Sequence, residues 1–261
     1  MLNNTAKFGI AAAVLVSVIL TSMPSLGLGS GNNNARSGEE SNLIRIGYFL
    51  NVNHAQAVIG IGKGDFHLAL EGIEVRKQEF NAGPSVIEAM LARQIDVAYV
   101  GPNPAINGYL KSDGNLLRVI SGAASGGAVF VIRNDAGIQS VADFDGKKFA
   151  SPQIGNTQDV ALRKYLLDNG YDTKEKGGTV EVLPAKTADI VTLMLKKEID
   201  GAWVPEPWGA KLVKENNARI FVDERTLWPN GEFVTAHVIV RTDYLESNPE
   251  TVKRFLKAHI E

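Results

Sequence analysis

The chain contains no cysteine, which removes disulfides, thiolate metal sites, a cysteine nucleophile and a lipid-modified cysteine behind a leader. Histidine is scarce, and His54, His67, His237 and His259 share no metal-ligand spacing. No H-E-x-x-H, G-x-S-x-G or G-x-x-x-x-G-K-[ST] occurs, and Ile61-Gly62-Lys63-Gly64 is too short and misplaced to be a phosphate loop. There is no long basic run, and a formal net charge of -2 argues against nucleic acid as a partner. Enzyme signals are therefore weak, with no metal and no cofactor expected.

What is present is an internal echo. Ile95 to Pro104 reads I-D-V-A-Y-V-G-P-N-P, and Ile199 to Pro207 reads I-D-G-A-W-V-P-E-P. Met90-Leu91 precedes the first copy as Met194-Leu195 precedes the second, and Leu43 to Phe49 falls opposite Lys147 to Gln153. Each half reads strand, helix, strand, helix, strand, with a polar or Pro-rich turn after the last strand. Two such units imply two α/β lobes of like build. The near-continuous apolar runs Ile95 to Val100 and Ile199 to Val204 fit strands covered on both faces. Asp96 and Asp200, at the strand starts, read as structural caps. Ala128 to Asp135 has its own partner in His237 to Asp243, and the two runs are expected to be neighbouring strands at the beginning and end of the second lobe.

The N-terminus is of another kind. Lys7 is the only charge before the apolar run Phe8 to Leu20, which is short for a membrane span of about 20 residues. Ser25-Leu26-Gly27 or Gly27-Leu28-Gly29 could present small residues to a signal peptidase. Residues 1–29 thus read as a signal peptide or retained anchor, and 30–41 as a flexible tether. Residues 42–124 form the expected first lobe, 125–245 the second, and 246–261 a C-terminal amphipathic helix that returns toward the first. The folded part is expected in the periplasm or on the extracellular face of the cytoplasmic membrane.

In parallel α/β lobes, ligands sit beyond the carboxyl ends of the strands, where free N–H groups at helix starts hold anions without a lysine. The candidates at such turns are Asn53, His54, Asn81, Gly83, Ser85, Asn103, Ser125, Gly126, Gly127, Thr157, Gln158, Glu206 and Trp208. Asn53, Ser85 and the neighbouring Asn156 also fit plain helix caps. His54 fits equally a satisfied helix-start histidine, and the bracketing prolines alone could account for Asn103. Trp203 reads as core and Trp208 as a cleft wall. Glu206 is the one carboxylate expected in the cleft, to accept from a ligand amine or to anchor a hinge.

The ordered set Asn53-His54-Ala55, Phe80 to Ser85, Asp96 to Pro104, Gly155 to Leu162, Asp200 to Trp208 and Leu227 to Gly231 resembles the periplasmic solute-binding proteins of ABC importers for aliphatic sulfonates, nitrate and taurine. That family also includes binders of thiamine pyrimidine precursors. The resemblance implies a type II periplasmic-binding-protein fold, two Rossmann-like lobes around a cleft that closes on solute, and docking of the closed form to a membrane permease. It implies a monomer that binds a small anion, aliphatic sulfonate or taurine ahead of nitrate. It assigns Asn53 and His54 to the first ligand-facing turn, Asn81, Gly83 and Ser85 to the second, and Asn103 to the third. Ser125 to Gly127 fall at the hinge side, Thr157 and Gln158 at the anion-cradling helix start, and Glu206 with Trp208 on the opposite wall. Family chains commonly continue past the equivalent of Glu261 with helices packed on the first lobe, so either this chain is shortened or that lobe is left partly uncovered. The alternatives are an enzyme on the same scaffold, acting on a pyrimidine or cofactor precursor through His54 and Glu206, and a sensory solute-binding domain.

Overall fold

A computed structural model describes residues 42–261. The expected leader and tether lie outside the described residues. From the N-terminal side run β1 (Leu43–Tyr48), a 3-10 turn (Val52–His54), α1 (Ala55–Lys63), α2 (Asp65–Ala69), β2 (Glu74–Glu79), α3 (Gly83–Leu91), β3 (Val97–Val100), α4 (Pro102–Lys111) and β4 (Leu117–Ser125). There follow β5 (Ala128–Arg133), β6 (Lys148–Ser151), α5 (Thr157–Asp168), β7 (Glu181–Pro184), α6 (Thr187–Leu195), β8 (Gly201–Pro205), α7 (Trp208–Glu215) and β9 (Ala218–Asp223). Last come β10 (Val234–Arg241), α8 (Thr242–Ser247) and α9 (Pro249–Ile260).

The strands form two five-stranded sheets of equivalent topology, ordered β2-β1-β3-β10-β4 and β7-β6-β8-β5-β9. In the first, β1 runs parallel to β2 and β3, while β10 is antiparallel to β3 and β4. The second repeats this with β6 parallel to β7 and β8, and β5 antiparallel to β8 and β9. The pairing expected within the second lobe does not occur. Ala128 to Arg133 and His237 to Arg241 are not neighbours: β5 lies in the second sheet and β10 in the first. They resemble each other because each is the buried antiparallel strand of its own sheet. The second lobe accordingly does not extend to residue 245.

The apolar runs sort as strand alternation requires. Val97 and Tyr99 pack on one face of the first sheet with Ile44, Ile46 and Phe255, and Ala98 and Val100 on the other with Val86 and Met90. In the second sheet Phe130 and Trp203 stack with ring centroids 5.3 Å apart on one face, and Val129 and Val204 meet Ile190 and Met194 on the other. The α9 helix buries Val252 and Phe255, with Phe255 stacked on Phe66 at 5.0 Å. It is pinned by Tyr99 Oη to His259 Nδ1 at 2.8 Å and by Arg254 Nε donating to the Ala69 carbonyl at 2.8 Å.

Asp96 and Asp200 hold the amino ends of the central strands in the same way. Asp96 accepts from the Arg45 N–H at 2.8 Å and pairs with the Arg45 and Arg241 guanidinium groups. Asp200 accepts from the Lys148 N–H at 2.9 Å and pairs with Arg133 at 3.1 Å. The chain crosses between sheets twice, through Gly126-Gly127 and through Glu224 to Phe233. Both crossover glycines are left-handed, with φ of 75° and 74°, a conformation that costs a side-chain-bearing residue. The parallel strands of both sheets thereby send their carboxyl-end turns toward a common gap.

Candidate functional site

The gap is a cavity of ≈ 20 Å³, room for about one water-sized group. The first lobe contributes Phe49, Asn51, Asn53, His54, Asn81, Gly101 and Thr235; the second contributes Pro152, Asn156, Thr157, Gln158, Thr187 and Pro205. None of these side chains is acidic, and none is lysine or arginine. Any charge held here must be met by dipoles and neutral hydrogen bonds.

One such dipole comes from α5, whose first residues Thr157 and Gln158 line the cavity. Its first intrahelical bond runs from the Val160 N–H to the Asn156 carbonyl at 3.0 Å. The N–H groups of Thr157, Gln158 and Asp159 thus have no acceptor within the helix, and the helix start carries partial positive charge. Asp159, buried in this first turn, is held by Ser151 Oγ at 2.8 Å, the Gly155 N–H at 2.9 Å and Arg163 Nε at 3.0 Å, so its charge is locally matched. Facing α5 from the first lobe is the start of α4, where a Cβ on Gly101 would overlap Thr157 Oγ1.

His54 supplies a neutral donor. Its Nδ1 accepts from the Phe49 N–H at 3.2 Å, which leaves the proton of the neutral ring on Nε2. Burial brings its pKa down from 6.5 to about 3, so the imidazole stays neutral at any physiological pH. Gln158 is oriented by Asn156, whose Nδ2 donates to Gln158 Oε1 at 2.7 Å; the Gln158 amide N–H groups are then directed elsewhere.

Hydrogen bonds also stitch the two lobes together. Asn81 Nδ2 donates to the Pro152 carbonyl at 3.2 Å, and Asn81 Oδ1 accepts from the Thr187 N–H at 3.4 Å. The Gly83 N–H donates to Asn156 Oδ1 at 3.3 Å, and Ser85 Oγ to Gln153 Oε1 at 3.3 Å. On the other side the Val52 N–H donates to the Glu206 carbonyl at 2.9 Å. At the crossover, Asn53 Nδ2 and Thr235 Oγ1 both donate to the Gly126 carbonyl, at 2.7 and 2.5 Å. The lobes are closed.

Of the sequence candidates, Asn53, His54, Asn81, Thr157 and Gln158 line the cavity. Gly83 and Ser85 instead form the seam between lobes, and Gly126 and Gly127 the crossover, where Gly127 lies against the Asn53 amide. Ser125 Oγ accepts from the Phe233 N–H at 3.3 Å, within the paired crossovers. Asn103, half-buried in the first turn of α4, is not among the lining residues. Glu206 and Trp208 differ from expectation. Glu206 Oε2 accepts from the Ala210 N–H at 2.9 Å, so the carboxylate caps α7 and does not line the cavity. Trp208 packs against the apolar cluster beneath α7. Thr235, Thr187, Asn51 and Gly101 line the cavity without having been among the candidates. Thr235 comes from β10, whose place in the first sheet no local pattern announces, whereas Gly101 shares the turn that drew attention to Asn103.

A protein of Brucella abortus named as a binding protein is 26% identical over 186 residues, spanning 71% of this chain and 55% of that protein. A Bacillus subtilis protein named for binding aliphatic sulfonates is 27% identical over 247 residues, 92% of this chain and 70% of its own length. Other relatives are named as taurine-binding and nitrate/nitrite-binding proteins. Among solved structures, the alkanesulfonate-binding protein SsuA of Xanthomonas axonopodis, bound to MOPS, superposes with a TM-score of 0.70 at 18% identity, over 84% of this chain and 72% of that one. The fold is therefore that of the periplasmic solute-binding proteins. Residues 37–261 match the NMT1-like family, and the chain belongs to that family.

Proposed function

We propose that the chain binds a small organic anion, an aliphatic sulfonate or taurine ahead of nitrate, between its lobes, and presents it to the permease of an ABC importer outside the cytoplasmic membrane. The observation that carries this reading is the unbonded start of α5 facing a cavity whose polar lining groups are all neutral. A sulfonate spreads its charge over three oxygens, which suits several fixed N–H and hydroxyl donors better than one cation. Phe49, Pro152 and Pro205 offer apolar surface to an alkyl portion. Because the closed gap is smaller than a sulfonate, loading is coupled to movement of the lobes about the Gly126-Gly127 and Glu224 to Phe233 crossovers, the kind of two-state closure that a permease can read.

The enzyme alternative is the weaker one. It needs His54 and Glu206 to act on a common substrate, but the Glu206 carboxylate is engaged with α7 and a histidine with a pKa of about 3 is a poor general base near neutrality. The names of the relatives also speak for binding. Thermal melts of the purified chain with millimolar ethanesulfonate, taurine, nitrate and sulfate test the reading: a sulfonate is expected to raise Tm in a saturable way, and the solute should be recovered unchanged. Chemical turnover of a bound solute would favour the enzyme reading.

A further inference from the structure

We propose that the solute carries a hydroxyl or amino hydrogen-bond donor beside its anionic group, and that Asn51 and Asn53 receive it. This rests on the reading of the cleft as a sulfonate site. Asn53 is 5% exposed and lines the cavity. Its amide cannot be turned over, because Nδ2 is committed to the Gly126 carbonyl, an acceptor that has no use for a second oxygen. Asn53 Oδ1 is therefore a buried acceptor, and among the described residues it has no donor. Two residues earlier in the same turn, Asn51 also lines the cavity, and its buried Oδ1 likewise lacks a donor.

The cavity is thus two-ended. The α5 N–H groups, His54 Nε2–H and the Gln158 amide N–H groups can only give hydrogen bonds, whereas Asn53 Oδ1 can only accept them, with Asn51 Oδ1 a second acceptor and the Thr157 hydroxyl, also without a partner among the described residues, able to do either. An oxyanion satisfies the first set and leaves the second unpaired, at the desolvation cost of buried carbonyl oxygens. Nitrate and unsubstituted alkanesulfonates carry acceptors only. A sulfonate with an –OH or –NH3+ group one or two carbons away fits both ends. With no carboxylate in the lining, the discrimination is for the donor itself rather than for positive charge, so a hydroxyl serves as well as an ammonium.

Calorimetric titration of the full chain with 2-hydroxyethanesulfonate, taurine, ethanesulfonate and nitrate tests this. Either donor-bearing sulfonate is expected to bind at least about tenfold more tightly than ethanesulfonate, with the hydroxyl and amino compounds telling the two kinds of donor apart. That ratio should fall toward one in Asn51→Ala and in Asn53→Ala, and being internal to each variant it does not depend on a general change in affinity. Asn51→Ala leaves the Asn53 bond to the crossover intact, should Asn53→Ala fail to fold. Equal or tighter binding of ethanesulfonate would overturn the inference while leaving the sulfonate reading standing. A ratio unaltered by Asn51→Ala would overturn the assignment to these residues. Failure of every sulfonate to bind would remove the reading of the site, and the inference with it.

Discussion

Gly101 and Thr157 meet across the cleft so closely that a methyl group on the glycine would overlap the threonine hydroxyl. Gly101 has an ordinary φ of -75°, so its lack of a side chain is needed for the approach of α4 to α5 and not for backbone shape. Gly101→Ala should therefore leave each lobe folded and obstruct their closure. Overpacking at such a contact costs about 1–3 kcal/mol, so sulfonate affinity is expected to fall by roughly tenfold while Tm without ligand stays nearly constant. Calorimetry and thermal melts on the same sample separate the two effects.

Asn81 bridges the lobes with both ends of its amide. Removing two hydrogen bonds at about 1 kcal/mol each favours the open form. Asn81→Ala is expected to weaken sulfonate binding roughly tenfold, and small-angle scattering should show a larger radius of gyration in the unliganded variant than in the unliganded parent. A variant that scatters like its parent would dissociate Asn81 from closure.

The duplicated I-D-x-A-[YW]-V runs were legible as equivalent strands because a strand buried on both faces leaves a continuous apolar signature, and β3 and β8 carry it. Asp96 and Asp200 were legible as structural for a related reason: a carboxylate at the amino end of a parallel strand is far from the carboxyl-end turns. The position of β10 was not legible. Strand pairing is a long-range choice, and the likeness of Ala128 to Arg133 and His237 to Arg241 fits equivalent places in two sheets as well as adjacency in one. Glu206 misled because an acid at a helix start can face a ligand or its own helix, and only the geometry distinguishes them.

The two aspartates differ in burial, and so should their worth. Asp96 is fully buried between two guanidinium groups, whereas the Asp200 side chain is 21% exposed. Removing one partner of a buried ion pair costs about 3–5 kcal/mol. Asp96→Ala is expected to lie in that range and Asp200→Ala well below it, as read from urea denaturation midpoints.

Burial also sets the response to acid. The pKa of His54 is lowered from 6.5 to about 3 in the folded chain. Between these values the unfolded chain takes up a proton that the folded chain refuses, so this contribution is complete above pH 6.5 and is lost as pH falls toward 3, at no more than about 1.4 kcal/mol per pH unit. His237, also lowered by burial, acts in the same sense. Asp96 and Glu224, both raised by burial, act oppositely above the usual carboxylate range. The difference between the parent and His54→Asn isolates the histidine: the parent should lose more stability than the variant between pH 6.5 and 4. Over pH 6.5 to 8 sulfonate affinity should be flat, because His54 stays neutral throughout.

Buried Glu224 accepts from Trp203 Nε1 at 2.7 Å, where the second crossover begins. Trp203→Phe keeps the stacking on Phe130 but withdraws this donor from the carboxyl group. A cost of about 2 kcal/mol is expected, read from the midpoint of urea unfolding.

Calorimetric titration of the purified chain with 2-hydroxyethanesulfonate, repeated with Thr157→Val and Gly101→Ala, tests most directly whether the two lobes grip an anion between them. Saturable one-to-one binding is expected of the parent, and markedly weaker binding of both variants, whose changes lie on opposite sides of one cleft. Absence of binding to any small anion, or affinities untouched by either substitution, would contradict this.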